Sequence, residues 1–451
     1  MNPTFRSILL LFGWILATTS VAQGIVFEEG SWQDALKKAK KQKKIIFLHL
    51  DKNDCGGCTE VASAAFNSPL MREKFALNFI SFRTDGATGI GKELSEKLEI
   101  DCTPSSIFLD TDEHPLARIC GSTSMDRAYL LKAEEAQTKH RNNPLLPLVT
   151  AYANGDRSAT LMQTYIQRRR EAGLSTTALL DEYVQQLPAD SLRSATVLRF
   201  IFEQGPVVGS RADSVFRLNY TRRDSLYRAV GWNKAVELNN LITNNSLKKA
   251  INEKDSRLAY RTAIFRQQTY TNDYKAGRAN YDWVLLRYYK GVRDTLQYLN
   301  RASRYFDEQF MTAKVDSIQN LDNLQNQRIM RGTMPEPAKT NPPVGMPTGG
   351  FMLNPNTQRY VGALNNAAWE FYGMTTDSVF LTKALSWSKR TLDYREDPSS
   401  MDTYAHLLYR LARKQEAIDW QEKAVKKEQE RNSPLVGALQ EALKKMKAGT
   451  L

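Results

Sequence analysis

Two cysteines directly after an apolar strand limit most strongly what this chain can fold into. Residues 44–50 read KIIFLHL, which predicts a buried strand, and Cys55-Gly-Gly-Cys58 opens a helix predicted to run to about Phe66. Cys55 would then lie at a helix N-terminus, where the helix dipole favours a thiolate. Cys58, one turn further, could attack a mixed disulfide formed on Cys55. A Cys-x-x-Cys pair is also half a zinc site, but the flanking strand and helix favour a redox pair.

Strand and helix patterns alternate through residues 24–137. The predicted order is β-α-β-α-β-α-β-β-α, which is typical of a mixed sheet covered by helices. Ser31 is expected to cap the first helix. The predicted strands are 25–27, 44–50, 78–84, 105–110 and 115–121, and the predicted helices begin near Trp32, Gly56, Lys92 and Met125.

This segment, 24–137, resembles the thioredoxin fold with its Cys-x-x-Cys active site. Thr103-Pro104 precedes a predicted strand, as the cis-proline of that family does. The resemblance implies that Pro104 is cis and faces Cys55, and that the adjacent backbone pairs with an extended substrate segment. Thr103 and Pro104 are therefore the expected substrate-binding residues.

Three positions depart from the common thioredoxin pattern. Asp54 replaces the usual Trp before the first cysteine, and Gly57 replaces the usual Pro. Asp54 opposes thiolate formation on Cys55, whereas the helix terminus favours it, so the redox potential is left open. His49 stands where many thioredoxins bury an Asp beneath the second cysteine. It is a candidate proton relay for Cys58, or else a buried neutral histidine with a backbone partner.

Cys102 and Cys120 raise a second question. If strand 105–110 pairs with 115–120, Ser105 lies opposite Cys120, and Cys102 lies about three residues further along. A disulfide requires Cα atoms within roughly 7 Å. The two residues could form a disulfide, remain as buried thiols, or provide Cys102 as an accessory redox thiol. No metal site or cofactor is expected, because only one cysteine pair has ligand spacing.

The rest of the chain is predicted to be helical. Apolar residues recur at helical spacing through 145–330, a Pro/Gly-rich loop or linker spans 331–358, and 360–448 is helical again. Residues 384–391 resemble residues 417–424, which lie 33 positions later. This spacing of similar segments resembles that of the tetratricopeptide repeat. The expected fold class is a thioredoxin-like α/β domain followed by an all-α helical-repeat region, with a peptide-binding groove as an added hypothesis.

The first 22 residues predict export from the cytosol. Arg6 precedes an apolar stretch, and Ser20 and Ala22 are small residues before a plausible cut at Gln23. The alternative is an uncleaved N-terminal anchor. A cleaved chain would work in the periplasm, where disulfides persist. Mean hydropathy is −0.48, and no other apolar run reaches membrane length, which excludes a multi-span membrane protein.

The charge of the chain bears on its partners. There are 62 basic and 49 acidic residues, a net charge of +13, and removal of Arg6 with the signal leaves +12. The densest basic run, Lys37–Lys44, is best explained as a solvated helix face. Export and the lack of a compact basic motif make nucleic acid an unexpected partner. Peripheral association with an anionic membrane surface stays open.

Two functions of different classes follow. The first is a secreted thiol–disulfide oxidoreductase that exchanges disulfides with protein substrates through Cys55 and Cys58 and requires a redox partner protein. The second is a non-catalytic scaffold in which the helical repeats mediate protein–protein interaction in the cell envelope. Two features favour the scaffold: the length of the helical region, and the absence of the Trp and Pro of the common thioredoxin active-site motif. No group of acids and bases in the helical region supports a hydrolase.

Overall fold

The computed structural model describes residues 24–52, 56–100, 102–142, 144–330, 354–431, 433 and 436–451, without the side chains of 56–58 and 220. The predicted signal at 1–22 and most of the Pro/Gly-rich segment lie outside these residues. The described residues form two compact units, which divide between Tyr183 and Val184. No helix among them is both long enough and apolar enough to cross a membrane.

The N-terminal unit begins with an α/β domain. The elements of this domain are α1 Trp32–Gln42, β1 Ile45–Asp51, α2 Gly56–Phe66, α3 Pro69–Asn78, β2 Phe79–Asp85, α4 Gly89–Lys97, β3 Ser105–Leu109, β4 Pro115–Cys120 and α5 Asp126–Asn142. In its described part, the four strands form one sheet in the order β2-β1-β3-β4, in which β1 and β2 are parallel and the other pairs antiparallel.

Strand β1 is buried along its whole length and separates two apolar cores. Ile45 and Phe47 face the core formed with α2, α3 and α5, whereas Ile46, Leu48 and Leu50 face the core formed with α1 and α4. This division follows from the period of two along a strand. A sheet covered on both faces requires an apolar central strand, and residues 44–50 provide one.

The predicted elements agree with the structure at most positions. Helix α2 has the predicted bounds, and Ser31 caps α1 through a capping box with Asp34. Two predictions were wrong. Residues 25–27 make only an isolated bridge, from Phe27 to Ser81, and helix α3 was missed. Only Met71 and Phe75 of α3 are buried, which is too few to give a clear helical period.

Three further helices complete the N-terminal unit: α6 Leu146–Ala153, α7 Ala159–Glu171 and α8 Thr177–Gln186. The division between the two units falls within α8.

Arg118 of β4 joins α7 to the sheet. Its guanidinium donates to the Ala172 carbonyl at 2.7 Å and to the Leu98 carbonyl at 3.3 Å. Gly173 has a φ of +73°, and a Cβ there would lie 2.7 Å from the guanidinium carbon. Glycine therefore leaves the space that this contact needs.

In its described part, the C-terminal unit is helical, as the sequence predicts. Its α-helices are α9 Ala195–Gln204, α10 Arg211–Leu218, α11 Tyr220–Val230, α12 Trp232–Asn252, α13 Ser256–Gln268, α14 Tyr274–Gly291, α15 Thr295–Phe306, α16 Val315–Met330, α17 Pro355–Met374, α18 Ser378–Tyr394, α19 Pro398–Arg410, α20 Lys414–Glu430 and α21 Val436–Ala448. Ala384, Ala405 and Ala417 are fully buried, so α18, α19 and α20 can approach closely. The matching residues Trp387 and Trp420 are 33 positions apart.

Candidate active site

The predicted cysteine pair spans the connection from β1 to the first turn of α2. Strand β1 ends at Asp51, α2 begins at Gly56, and Cys58 is the third residue of that helix. Cys55, Asp54 and the side chain of Cys58 lie outside the described residues. The backbone on either side is the strand and helix that the motif predicts. The chemical roles of Cys55 and Cys58 remain predictions.

The loop before β3 lies at the same edge of the sheet. The peptide bond between Thr103 and Pro104 is cis, as the resemblance implies. Ser105, the next residue, pairs with Leu50 near the end of β1. A Cβ added to Gly86 would lie 2.5 Å from the Thr103 methyl group and 3.3 Å from the Leu50 side chain. The Thr103-Pro104 loop is therefore next to the carboxyl end of β1, where the cysteine segment begins.

Cys102 and Cys120 form a disulfide, with Cα atoms 5.7 Å apart. The expected register is confirmed, because Ser105 is the partner of Cys120. The disulfide ties the residue before Thr103-Pro104 to the end of β4, and the Gly121 amide donates to the Pro104 carbonyl at 2.8 Å. Cys120 is exposed and Cys102 is half-buried. The loop at the candidate substrate site is thus held covalently on one side.

His49 is fully buried on the face of β1 that α2 covers. Its ring lies edge-on to Phe66 of α2, with centroids 4.9 Å apart. Nδ1 is 2.8 Å from the hydroxyl of Ser106, its cross-strand partner in β3. The alternative expected from the sequence was a buried histidine with a backbone partner. That partner is wrong for Nδ1, which contacts the Ser106 side chain. His49 thus contacts the helix that carries Cys58.

Asp51 and Arg83 continue this polar cluster toward the surface. Arg83 binds Asp51 with two nitrogens, Nε and Nη2, the latter at 2.7 Å. Nε2 of His49 lies 3.5 Å from the Asp51 carboxylate and makes no hydrogen bond to a described residue. Burial opposes ionisation of Asp51, but Arg83 and His49 outweigh it and hold the pKa of Asp51 well below its usual range. Asp51 is therefore a carboxylate at neutral pH.

Tyr129 of α5 ends the cluster on its other side. Ser106 contacts the Tyr129 hydroxyl, and the Thr123 amide donates to that hydroxyl at 3.4 Å. Burial raises the pKa of Tyr129, which these contacts only partly offset. A continuous polar cluster thus runs from Tyr129 through Ser106 and His49 to Asp51.

Sequence reasoning found His49 but missed its partners. A period of two along β1 places residues 47, 49 and 51 on one face, which could have indicated Asp51. Ser106, Arg83 and Tyr129 come from other elements, and only the sheet register and the packing of α5 reveal them. No group of three or more His, Cys, Asp or Glu residues in the described part of the chain is arranged to hold a metal ion.

Comparison with known proteins identifies the class of the N-terminal domain. Residues 32–134 match the family model of a thioredoxin-like domain. The chain therefore has an N-terminal thioredoxin-like α/β domain with a four-stranded sheet in its described part, and a largely helical region follows.

Two further comparisons give no additional support for a particular function. A solved structure titled "DsbH Oxidoreductase" is 20% identical and covers 28% of this chain and 93% of its own, with a TM-score of 0.21, which is too low to support a functional argument. No curated protein matches the chain.

Proposed function

We propose that this protein is a secreted thiol–disulfide oxidoreductase that acts on protein substrates through Cys55 and Cys58. One observation supports this most strongly: in the sequence, the Cys55-Gly-Gly-Cys58 motif connects β1 to α2 of a thioredoxin-like domain, and a cis Thr103-Pro104 bond lies at the carboxyl end of β1. The signal pattern at 1–22 supports action in the periplasm.

The proposed reduction has two exchange steps. The Cys55 thiolate attacks a substrate disulfide, which forms a mixed disulfide and releases one substrate thiolate. The Cys58 thiolate then attacks the Cys55 sulfur, which releases the second substrate thiolate and leaves a Cys55–Cys58 disulfide. Two electrons pass to the substrate, and a redox partner protein must return them. The reverse sequence oxidises a substrate dithiol, and the substrate backbone would pair beside Thr103 and Pro104.

His49 is proposed to exchange the proton of Cys58. It is buried against α2, the helix that carries Cys58, and its Nε2 lies 3.5 Å from the Asp51 carboxylate without a hydrogen bond to a described residue. His49→Leu keeps an apolar side chain of similar size and should slow the resolving step about 100-fold at neutral pH. Stopped-flow decay of a mixed disulfide, followed across pH, measures that step.

The control variant for this prediction is His49→Asp, which replaces the imidazole with the carboxyl that many thioredoxins bury there. It should recover part of the lost rate and shift the pH profile. A purely structural role for His49 would leave both pH profiles like that of the wild type, and that result would exclude the relay.

Substrate trapping separates the oxidoreductase from the scaffold hypothesis. Cys58→Ser should accumulate mixed disulfides between Cys55 and exported proteins, because the resolving thiolate is gone. The Cys55→Ser/Cys58→Ser double variant should trap none. Covalent adducts can be counted on non-reducing gels and mapped by mass spectrometry. Partners that bind both variants equally and without a covalent bond would support the scaffold instead.

A further inference from the structure

The C-terminal unit contains a cavity of about 730 Å³. It lies between α14, α15 and α17, and Ile251 of α12 contributes to its wall. Sites for small molecules typically measure about 300–1,000 Å³. The cavity belongs wholly to the C-terminal unit, and the proposed thiol chemistry makes no use of it.

Aromatic rings form one wall of this cavity. Trp283 and Tyr305 lie with ring centroids 6.1 Å apart, and Phe306 and Phe310 lie 5.8 Å apart. A π-helical turn, Asp307–Met311, follows α15 and carries Phe310. Such turns are rare and occur frequently at functional sites. The indole N–H of Trp283 is buried and has no hydrogen-bond partner among the described residues.

Small residues of α17 form another part of the wall. Gly362, Ala363 and Ala367 line the cavity at helical spacing, and a Cβ on Gly362 would meet no atom within 4 Å. The lining extends along α17 from Gln358 to Glu370, which corresponds to about 18 Å at the helical rise per residue. The cavity is therefore elongated.

The two ends of this wall differ in charge. At one end Glu370 is neutralised, since Lys290 donates to it at 2.6 Å and the Tyr298 hydroxyl also donates to it. At the other end Arg359 is exposed, and no ion pair or hydrogen bond joins it to another described residue. An unpaired guanidinium at the rim of an apolar cavity favours an anionic group.

We propose that this cavity binds an elongated small molecule with an apolar chain and one anionic head group, of the long-chain carboxylate type. Arg359 binds the head group. The chain lies between the aromatic wall and the small residues of α17, where its burial supplies most of the binding free energy. An uncharged chain of the same length lacks the contact with Arg359 and binds more weakly.

The test uses the full mature chain and the fluorescent probe 8-anilinonaphthalene-1-sulfonate, which combines apolar rings with a sulfonate. Gly362→Leu fills the cavity from α17 and should weaken probe binding about tenfold or more by occupying its volume. Gly373→Leu is the matched control, because Gly373 is in the same helix, does not line the cavity and also has open space. It should change the affinity less than about twofold. Circular dichroism checks that both variants fold.

Competition experiments test the ligand class. Dodecanoate should displace the probe with at least about fivefold higher affinity than dodecanol, and Arg359→Gln should remove that preference. Equal probe binding by the two glycine variants would place the probe elsewhere and overturn the proposal. Equal competition by dodecanol, or displacement by an acidic peptide but not by dodecanoate, would overturn the assigned ligand class.

Discussion

Replacing Cys55 with serine should reduce catalysis of insulin reduction to the uncatalysed background, a loss of about 10³-fold or more. Serine has nearly the same size, so the fold should persist. Its hydroxyl does not ionise near neutral pH and cannot form a disulfide. The rate of insulin precipitation with dithiothreitol as reductant measures the loss.

The matched control for this prediction removes the other cysteine pair. The Cys102→Ala/Cys120→Ala variant keeps Cys55 and Cys58 and should retain catalysis of insulin reduction under conditions where it is folded. Wild-type turnover by Cys55→Ser would exclude Cys55 as the nucleophile. If the control variant instead lost all activity while folded, the second pair would be the redox centre.

The same Cys102→Ala/Cys120→Ala variant should lower the free energy of unfolding of the thioredoxin-like domain by about 3 kcal/mol. The disulfide closes a loop over a sequence separation of 18 residues, and cross-linking a loop of that size restricts the unfolded chain. Hydrogen exchange of the β1 and β3 amides in the full chain reports on this domain alone. A loss of about 3 kcal/mol corresponds to exchange faster by about two orders of magnitude.

Selective reduction of the two disulfides distinguishes a structural role of Cys102 and Cys120 from a redox role. If Cys102 and Cys120 are structural, mild reductants that open the Cys55–Cys58 disulfide should leave their disulfide intact. Unchanged amide exchange in the double variant would contradict a structural role. Reduction of both pairs at the same potential would support the accessory redox thiol that the sequence leaves open.

Local patterns predicted the elements around the candidate site well. Helix α2 begins and ends where the motif and its apolar residues indicate, and the pairing of Ser105 with Cys120 follows from the hairpin spacing. The cis bond at Pro104 was available only from the resemblance, because spacing alone does not fix an isomer. The disulfide could not be decided from sequence, since it depends on how the 102–104 loop turns back to β4.

Long-range contacts explain what the sequence could not predict. Arg83 of β2 and Tyr129 of α5 belong to the polar cluster around His49. Their positions depend on strand order and helix packing. The contact between Arg118 and Ala172 joins β4 to the end of α7, and no local pattern in the sequence relates these two segments. The cavity in the C-terminal unit likewise requires faces of several helices that no local pattern relates.

A redox titration of the mature protein in glutathione buffers tests the central claim most directly. Alkylation and mass spectrometry would read the Cys55/Cys58 and Cys102/Cys120 peptides separately. The account predicts a reversible two-electron transition at Cys55/Cys58 while Cys102–Cys120 stays oxidised. A potential near roughly −270 mV would indicate a reductase, and one near roughly −120 mV an oxidant. Cysteines 55 and 58 that stay in one state at every potential would contradict the proposed oxidoreductase.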